Sequence, residues 1–276
     1  MNVYALGASR NIGYFAAIRL LNKGATVTFL LRNTSVFDGD ADIQPHIGSG
    51  KAKLVKGDAT SLDDVARGWS EALSVGSVDF VLFTVGATKL SFSLTQGAVI
   101  NPHDLCSRAI LNVLSTIPES QRAPGTQPKI IAISSTGVTK RSHKNLPLAL
   151  KPMYSYVLGP AHVDKFGMEQ VLSYCAGMPW EDADYRKDVV PANWTKMQGL
   201  PAAGSLKTVI VLRAGGLTDG PAKGDDPTKK PPYTACDDDE KCAGYMITRK
   251  DVAHFIVENA LQNWDRWQGK RVSLAY

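Results

Sequence analysis

The stretch Gly7-Ala8-Ser9-Arg10-Asn11-Ile12-Gly13 decides the fold. It stands between an apolar, strand-like run, Val3 to Leu6, and a helical pattern carried by Ile12, Phe15, Ala16 and Leu20. In a strand–turn–helix context a glycine-bounded turn is a phosphate cradle, because backbone N–H groups and the helix N-terminus point at one spot. Gly7 and Gly13 supply the room that a close approach of pyrophosphate needs. The next apolar run ends in Leu30-Leu31-Arg32-Asn33. Arg32 lies roughly twenty residues beyond the turn, where a site for NAD keeps an acid on the ribose 2′-hydroxyl. An arginine suits a 2′-phosphate instead, and Arg10 adds a second guanidinium that can grip it bidentately. The opening therefore reads as an NADP site.

The rest of the composition sets bounds. The chain has 276 residues, a formal charge of +5 and four cysteines. Its apolar and charged fractions are those of an ordinary globular protein. The basic residues are not gathered into a block, so neither nucleic acid nor a membrane surface is expected as partner. No run of about eighteen apolar residues is present to span a bilayer. The first strand begins at once, without room for a signal peptide, and a cytoplasmic location is expected. Cys106 and Cys175 fall in helical patterns and read as small core residues. Cys236 and Cys242 bracket Asp237-Asp238-Asp239-Glu240, where a local disulfide or a metal is conceivable. No second ligand pair with zinc spacing accompanies them, so no metal is expected.

Strand-like and helix-like segments alternate along the whole chain. Apolar runs occupy Asn2 to Leu6, Ala25 to Leu31, Lys53 to Lys56, Val78 to Thr84, Lys129 to Ser134, Thr208 to Arg213 and Arg271 to Ala275. Ser61 and Asp64 form a capping box ahead of Leu62, Val65, Trp69 and Leu73. Asn101-Pro102 reads as an N-cap with proline at the first helical position, ahead of Leu105, Ala109, Val113 and Ile117. Thr248 and Asp251 start a further helix. This alternation predicts an α/β fold, a doubly wound parallel sheet in one domain spanning 1–276. Two long irregular stretches, 177–205 and 221–244, exceed ordinary connections. They are expected as substrate-side insertions, with Trp180, Tyr185 and Trp194 in the first and Tyr233 in the second.

With these elements laid out, the chain resembles the atypical short-chain dehydrogenase/reductases, in particular the NAD(P)-binding group of flavin/biliverdin-reductase-like and NmrA-like proteins. The matching pieces are the turn from Gly7 to Gly13, Gly57-Asp58, Thr84-Val85-Gly86-Ala87, Ile133-Ser134-Ser135-Thr136-Gly137, Asp164-Lys165-x-x-Met168-Glu169, Leu212 to Gly220, and Thr248-Arg249-Lys250-Asp251-Val252-Ala253. They appear in family order. Two departures stand out. The family's turn usually has three glycines, and here the middle place is Arg10 or Asn11; asparagine tolerates left-handed backbone better than most residues. The best-known branch uses Tyr-x-x-x-Lys, whereas Tyr154 is followed at that spacing by Leu158 and Tyr156 by Pro160.

The resemblance implies a nicotinamide cofactor bound by Gly7, Ser9, Arg10, Asn11, Ile12, Gly13 and Arg32. Asp58 and Ala59 would lie at the adenine, and Val85, Gly86 and Ala87 at the adenosine ribose. Ser134, Lys165, Ala214, Gly215, Gly216 and Leu217 would complete the nicotinamide end. For catalysis it implies Ser135 on the substrate oxygen and Lys165 on the ribose hydroxyls. His162 and Tyr156 (or Tyr154) are candidate proton donors. Lys165 and Glu169 are also spaced for an exposed i,i+4 ion pair. The expected activity is hydride transfer from NADPH to a carbonyl or conjugated double bond of a mostly apolar small molecule. An NmrA-like redox sensor, or an isomerase, lyase or cyclase on the same fold, is the alternative. The resemblance is compatible with a monomer or a homodimer.

Arg10 and Arg32 make a direct prediction. NADPH should bind at least tenfold more tightly than NADH in a fluorescence titration. Equal affinities would refute the 2′-phosphate clamp and point to Asp38 or Asp40 on an adenosine ribose.

Overall fold

Successive residues of the central strands enter two separate apolar cores, so the sheet is the middle of three layers. Val3 and Ala5 join one core and Tyr4 and Leu6 the other; Phe80 and Leu82 alternate with Val81 and Phe83 in the same way. The computed structural model describes residues 1–87, 91–93, 97–140, 159–180, 189–237, 242 and 244–276. Its strands are β1 (Asn2–Leu6), β2 (Thr26–Leu31), β3 (Ala52–Lys56), β4 (Phe80–Phe83), β5 (Ser91–Ser93), β6 (Gly97–Val99), β7 (Lys129–Ser135), β8 (Val209–Ala214), β9 (Gly216–Thr218), β10 (Thr234–Asp237), β11 (Met246–Thr248) and β12 (Lys270–Ala275). The helices are α1 (Asn11–Asn22), α2 (Gln44–Gly48), α3 (Leu62–Leu73), α4 (Leu105–Ser115), α5 (Gly159–Ala176), α6 (Arg249–His254) and α7 (Trp264–Trp267). A π-helical stretch, Phe255–Ala260, continues α6.

Every apolar run of the sequence is a strand of one eight-stranded sheet, ordered β10-β12-β8-β7-β4-β1-β2-β3. All neighbours in it are parallel except β10, which runs antiparallel to β12. Helices α1 and α6 cover one face, and α3, α4 and α5 the other. From β1 the chain winds outward through β2 and β3, then crosses back to β4 on the far side of β1. Ligands of such sheets bind beyond the strand carboxyl ends at that switch point.

The switch point is crowded. A Cβ on Gly7 would stand 2.5 Å from the Thr84 carbonyl carbon, and one on Gly13 would stand 2.3 Å from Thr84 Oγ1. Both glycines are therefore demanded by the end of β4 before any ligand arrives. Gly7 also has φ 75°, and Asn11 takes the left-handed conformation at φ 56°. The missing third glycine is thus replaced by the side chain best able to occupy that backbone.

Three readings of the sequence need correction. Helix α4 starts at Leu105, not after Asn101-Pro102, whose peptide bond is cis. Its first-turn amides are met by a carboxylate from another helix: Asp164 of α5 accepts from Cys106 N at 2.7 Å and Ser107 N at 2.9 Å. A cap supplied through space removes the need for a local one. In the Ser61 capping box, Ser61 Oγ accepts from Asp64 N, but Asp64 reaches back to Asp58 N at 2.8 Å instead of to Ser61. That bond, followed by Arg67, holds the Asp64 carboxyl below its usual pKa.

The third correction concerns 177–205. A right-handed crossover helix runs antiparallel to its strands, so the connection from α5 to β8 belongs at the amino edge, opposite the cleft. The described parts obey this. Leu206 N bonds Cys175 O, and Gln127, just before β7, bonds Ser205 O. Trp194 stacks edge-on against Tyr174, and Trp180 packs on Phe166 with ring centroids 4.9 Å apart. Both tryptophans pack on side chains of α5. Tyr185 lies outside the described residues. In the second stretch, Cys236 and Cys242 are disulfide-bonded, and among the described residues no cluster of metal ligands occurs.

Gly7→Ala should lower unfolding stability by at least about 2 kcal/mol, combining left-handed strain with overpacking. Gly39 has the same φ of 75° but open space around it, so Gly39→Ala should cost only about 1 kcal/mol. Urea titrations of the two variants separate the packing contribution from the backbone one.

Candidate functional site

The carboxyl ends of β1, β2, β4, β7 and β8 bring the dispersed motifs to one edge. At its centre is the N-terminus of α1, which has no side-chain cap and no acid in its first turn. Three of the longer helix starts are provided for, with Ser61 on α3, Asp164 on α4 and Thr248 on α6, while the short α2 and α7 lack a side-chain cap as α1 does. An uncapped helix start at a switch point leaves its amides and positive dipole end for an anion. Ile12 buries its side chain in the core, 5% exposed, so only its backbone can contribute.

Arg10 and Arg32 are exposed at this edge. Among the described residues they are the only arginines engaged by no carboxylate, carbonyl, hydroxyl or ring; the others are all held. The fit to a phosphorylated dinucleotide rests on that pair beside an uncapped helix. Asp40 is not available as an alternative ribose acid. It accepts from Tyr14 Oη at 2.8 Å and from Asp42 N at 3.0 Å. Asp58 uses Oδ1 on Thr60 N and Oγ1, a turn-closing role, and keeps Oδ2. Ala59 is partly buried, and its carbonyl accepts from Asn112.

Lys165 lies early in α5, and its ammonium bridges two strand ends. It donates to Val85 O at 2.7 Å and to Ile133 O at 2.6 Å. An ammonium has three donors, and beyond these two oxygens Lys165 also interacts with the Cys106 thiol. Gly86 faces it, with a Cβ position 4.0 Å from Nζ. Val85 is buried and Ala87 half-buried beside it. Ser135 ends β7 half-buried, with only a 3.1 Å bond to Thr136 O.

The competing explanation of Lys165, an exposed ion pair with Glu169, does not apply. Glu169 turns inward to Arg213, Oε2 to guanidinium nitrogen 2.5 Å, with both side chains fully buried. Ser134 Oγ donates to the same carboxylate at 2.5 Å. The Ser134 hydroxyl is thereby committed beneath the site. A charged residue inside an apolar strand, Arg213, and an acid on the apolar helix α5 were the signals for this cluster. Neither identifies its partner from sequence.

Gly215 N bonds Leu274 O and Gly216 N bonds Tyr245 O, so these amides are not free for a carboxamide. Ala214 carries the end of β8, and Leu217 stands exposed on the two-stranded sheet β9–β11. His162 is buried, 3% exposed, one turn before Lys165. Tyr154 and Tyr156 lie outside the described residues. The Cys106 thiol, bonded to Val85 O, is pushed up to about 12 by burial and is no nucleophile.

No protein-family profile matches the sequence. Reductase pytE from Aspergillus terreus is 27% identical over 232 residues, 81% of this chain and 77% of that protein. The solved structure of ChuY, an anaerobillin reductase from Escherichia coli O157:H7, superposes with a TM-score of 0.60. It is 18% identical and covers 99% of this chain and 96% of its own. An alcohol dehydrogenase from the archaeon Thermococcus sibiricus, solved with 5-hydroxy-NADP, matches at TM-score 0.61 and 14% identity, over 99% and 95% of the two chains. These similarities are to a reductase in sequence and to the Rossmann-type fold of reductases and dehydrogenases in structure. Against the short-chain dehydrogenase/reductases that it resembles, the chain differs at a second place besides the turn. The residue four before Lys165, where the best-known branch has its tyrosine, is Ala161.

Removing Glu169 should strand a buried guanidinium. Glu169→Ala is expected to cost about 3–5 kcal/mol, read by urea unfolding. A loss under about 1 kcal/mol would show that the pair holds nothing in place.

Proposed function

We propose that the protein is an NADPH-dependent reductase acting on a carbonyl or conjugated double bond of a mostly apolar small molecule. The observation that carries this reading is the pair of unengaged arginines, Arg10 and Arg32, beside the uncapped start of α1. The bound cofactor would supply the hydride. The amides of the α1 first turn would hold its pyrophosphate, and the two guanidinium groups would hold its 2′-phosphate. Lys165, pinned by two carbonyl oxygens, would hold a nicotinamide-ribose hydroxyl. Ser135 holds the substrate oxygen as negative charge develops there. The proton then comes from His162, Tyr156 or water, because Ala161 has none to give.

Support for an apolar substrate comes from the β9–β11 sheet. Leu217, Tyr245 and Met246 are exposed there by 39%, 47% and 52%, next to the end of β8. No helix among the described residues is long and apolar enough to cross a membrane.

NADPH oxidation against quinones, flavins, enones, aldehydes and ketones, with mass analysis of products, tests the reading. Lys165→Ala should cut turnover at least about a hundredfold while NADPH still binds. Unchanged turnover in both Lys165→Ala and Ser135→Ala would remove these residues from the mechanism. NADPH binding without turnover across a broad panel would favour the sensor reading, to which Ala161 already lends weight.

A further inference from the structure

A second concavity lies on the flank of the domain, apart from the nucleotide edge. It is a groove of about 390 Å³ between the 224–235 segment and the side formed by α6, its π-helical continuation and α7. That volume is within the range of small-ligand sites. No residue assigned above to the cofactor or to catalysis lines it, although nine lining residues, Tyr233 among them, belong to the 221–244 stretch expected on the substrate side.

Its charges are unbalanced in a particular way. Both acids already have partners, Asp226 also feeling the charge of Lys229. Asp226 accepts from Thr228 N and Oγ1, and Glu258 pairs with Lys23 at 3.0 Å and accepts from Gln262. The cations Lys229, Lys230 and Arg266 are exposed and meet no carboxylate among the described residues. Arg266 lies over the ring of Trp267, 4.4 Å from its centroid, so a charged plane already stacks on an aromatic one. Pro227, Pro231 and Pro232 add flat apolar walls.

The floor supplies a directed donor. Tyr233 Oη and His254 Nδ1 are 2.7 Å apart. Burial, with help from Arg19, lowers the pKa of His254 and keeps the imidazole neutral; burial raises that of Tyr233 and keeps the phenol protonated. The phenol therefore donates to Nδ1, and the imidazole proton resides on Nε2. Among the described residues Nε2 has no partner.

We propose that this groove is a second ligand site, for a small planar organic anion of the aromatic carboxylate class. The carboxylate would meet Lys229, Lys230 and the His254 Nε2–H. The ring would lie against the prolines and the Arg266–Trp267 stack.

The probe is 1-naphthoate, titrated calorimetrically into the full chain with and without saturating NADP. Binding that persists with NADP supports a site apart from the cleft. Lys229→Ala/Lys230→Ala, two exposed changes that should leave the fold intact, should weaken it about fivefold or more. Neutral 1-naphthamide should bind at least about tenfold more weakly, since it lacks the charge. In a histidine ¹⁵N spectrum, saturating 1-naphthoate should shift the His254 Nε2–H resonance. Loss of binding on adding NADP, indifference to the double substitution, or equal binding of the amide would each overturn the proposal. Because the naphthoate titration is also made without cofactor, it stands or falls whether or not the protein proves to be an NADPH reductase.

Discussion

The contact between the first turn and the end of β4 is the constraint on which the rest depends. Gly7 lets the backbone at Thr84 and Val85, and Gly13 the Thr84 hydroxyl, come within a distance that no side chain would permit. That approach sets β1 beside β4, makes the switch in strand order, and opens the cleft there. The start of α1 is then left facing the cleft without a cap. The phosphate-cradle and packing explanations of these glycines are consequently one explanation. The close approach of β4 requires the glycines, and the turn they create is what leaves amides pointing outward.

A second constraint lies one layer below. The buried Glu169–Arg213 pair, with Ser134 on the same carboxylate, ties α5 to β8 and β7. Asp164, on the same helix, caps α4. Helix α5 is thus fixed on two sides by ionised groups out of water, an arrangement that costs desolvation but tolerates few alternatives. Its upper part carries Lys165, whose ammonium lies between the ends of β4 and β7. The position of the lysine follows from partners that are distant in sequence.

Much of the architecture was legible before the structure. Strands buried on both faces read as continuous apolar runs, and each run became a strand of the sheet. The turn, Asn11 included, and the Thr248–Asp251 cap are local, and local signals depend on neighbours in sequence. The failures share one physical cause. Asn101-Pro102 was a sound local cap that a distant carboxylate made unnecessary. The Lys165–Glu169 spacing suited a surface pair, but a buried arginine competes better for a carboxylate than a solvated lysine does. The tryptophans of the 177–205 stretch looked available for a ligand, and side chains of α5 took them instead.

The sequence by itself determined the α/β alternation, the nucleotide turn and the arginines that suit a 2′-phosphate, because each is a matter of short-range spacing and residue type. Only the tertiary structure decided which of the charged and aromatic residues remain free. Arg10 and Arg32 engage no described group, whereas Glu169, Arg213, Asp164 and Ser134 find their polar partners inside the protein. Freedom of a polar group depends on every neighbour that folding brings within about 3 Å, and sequence order does not contain that distance.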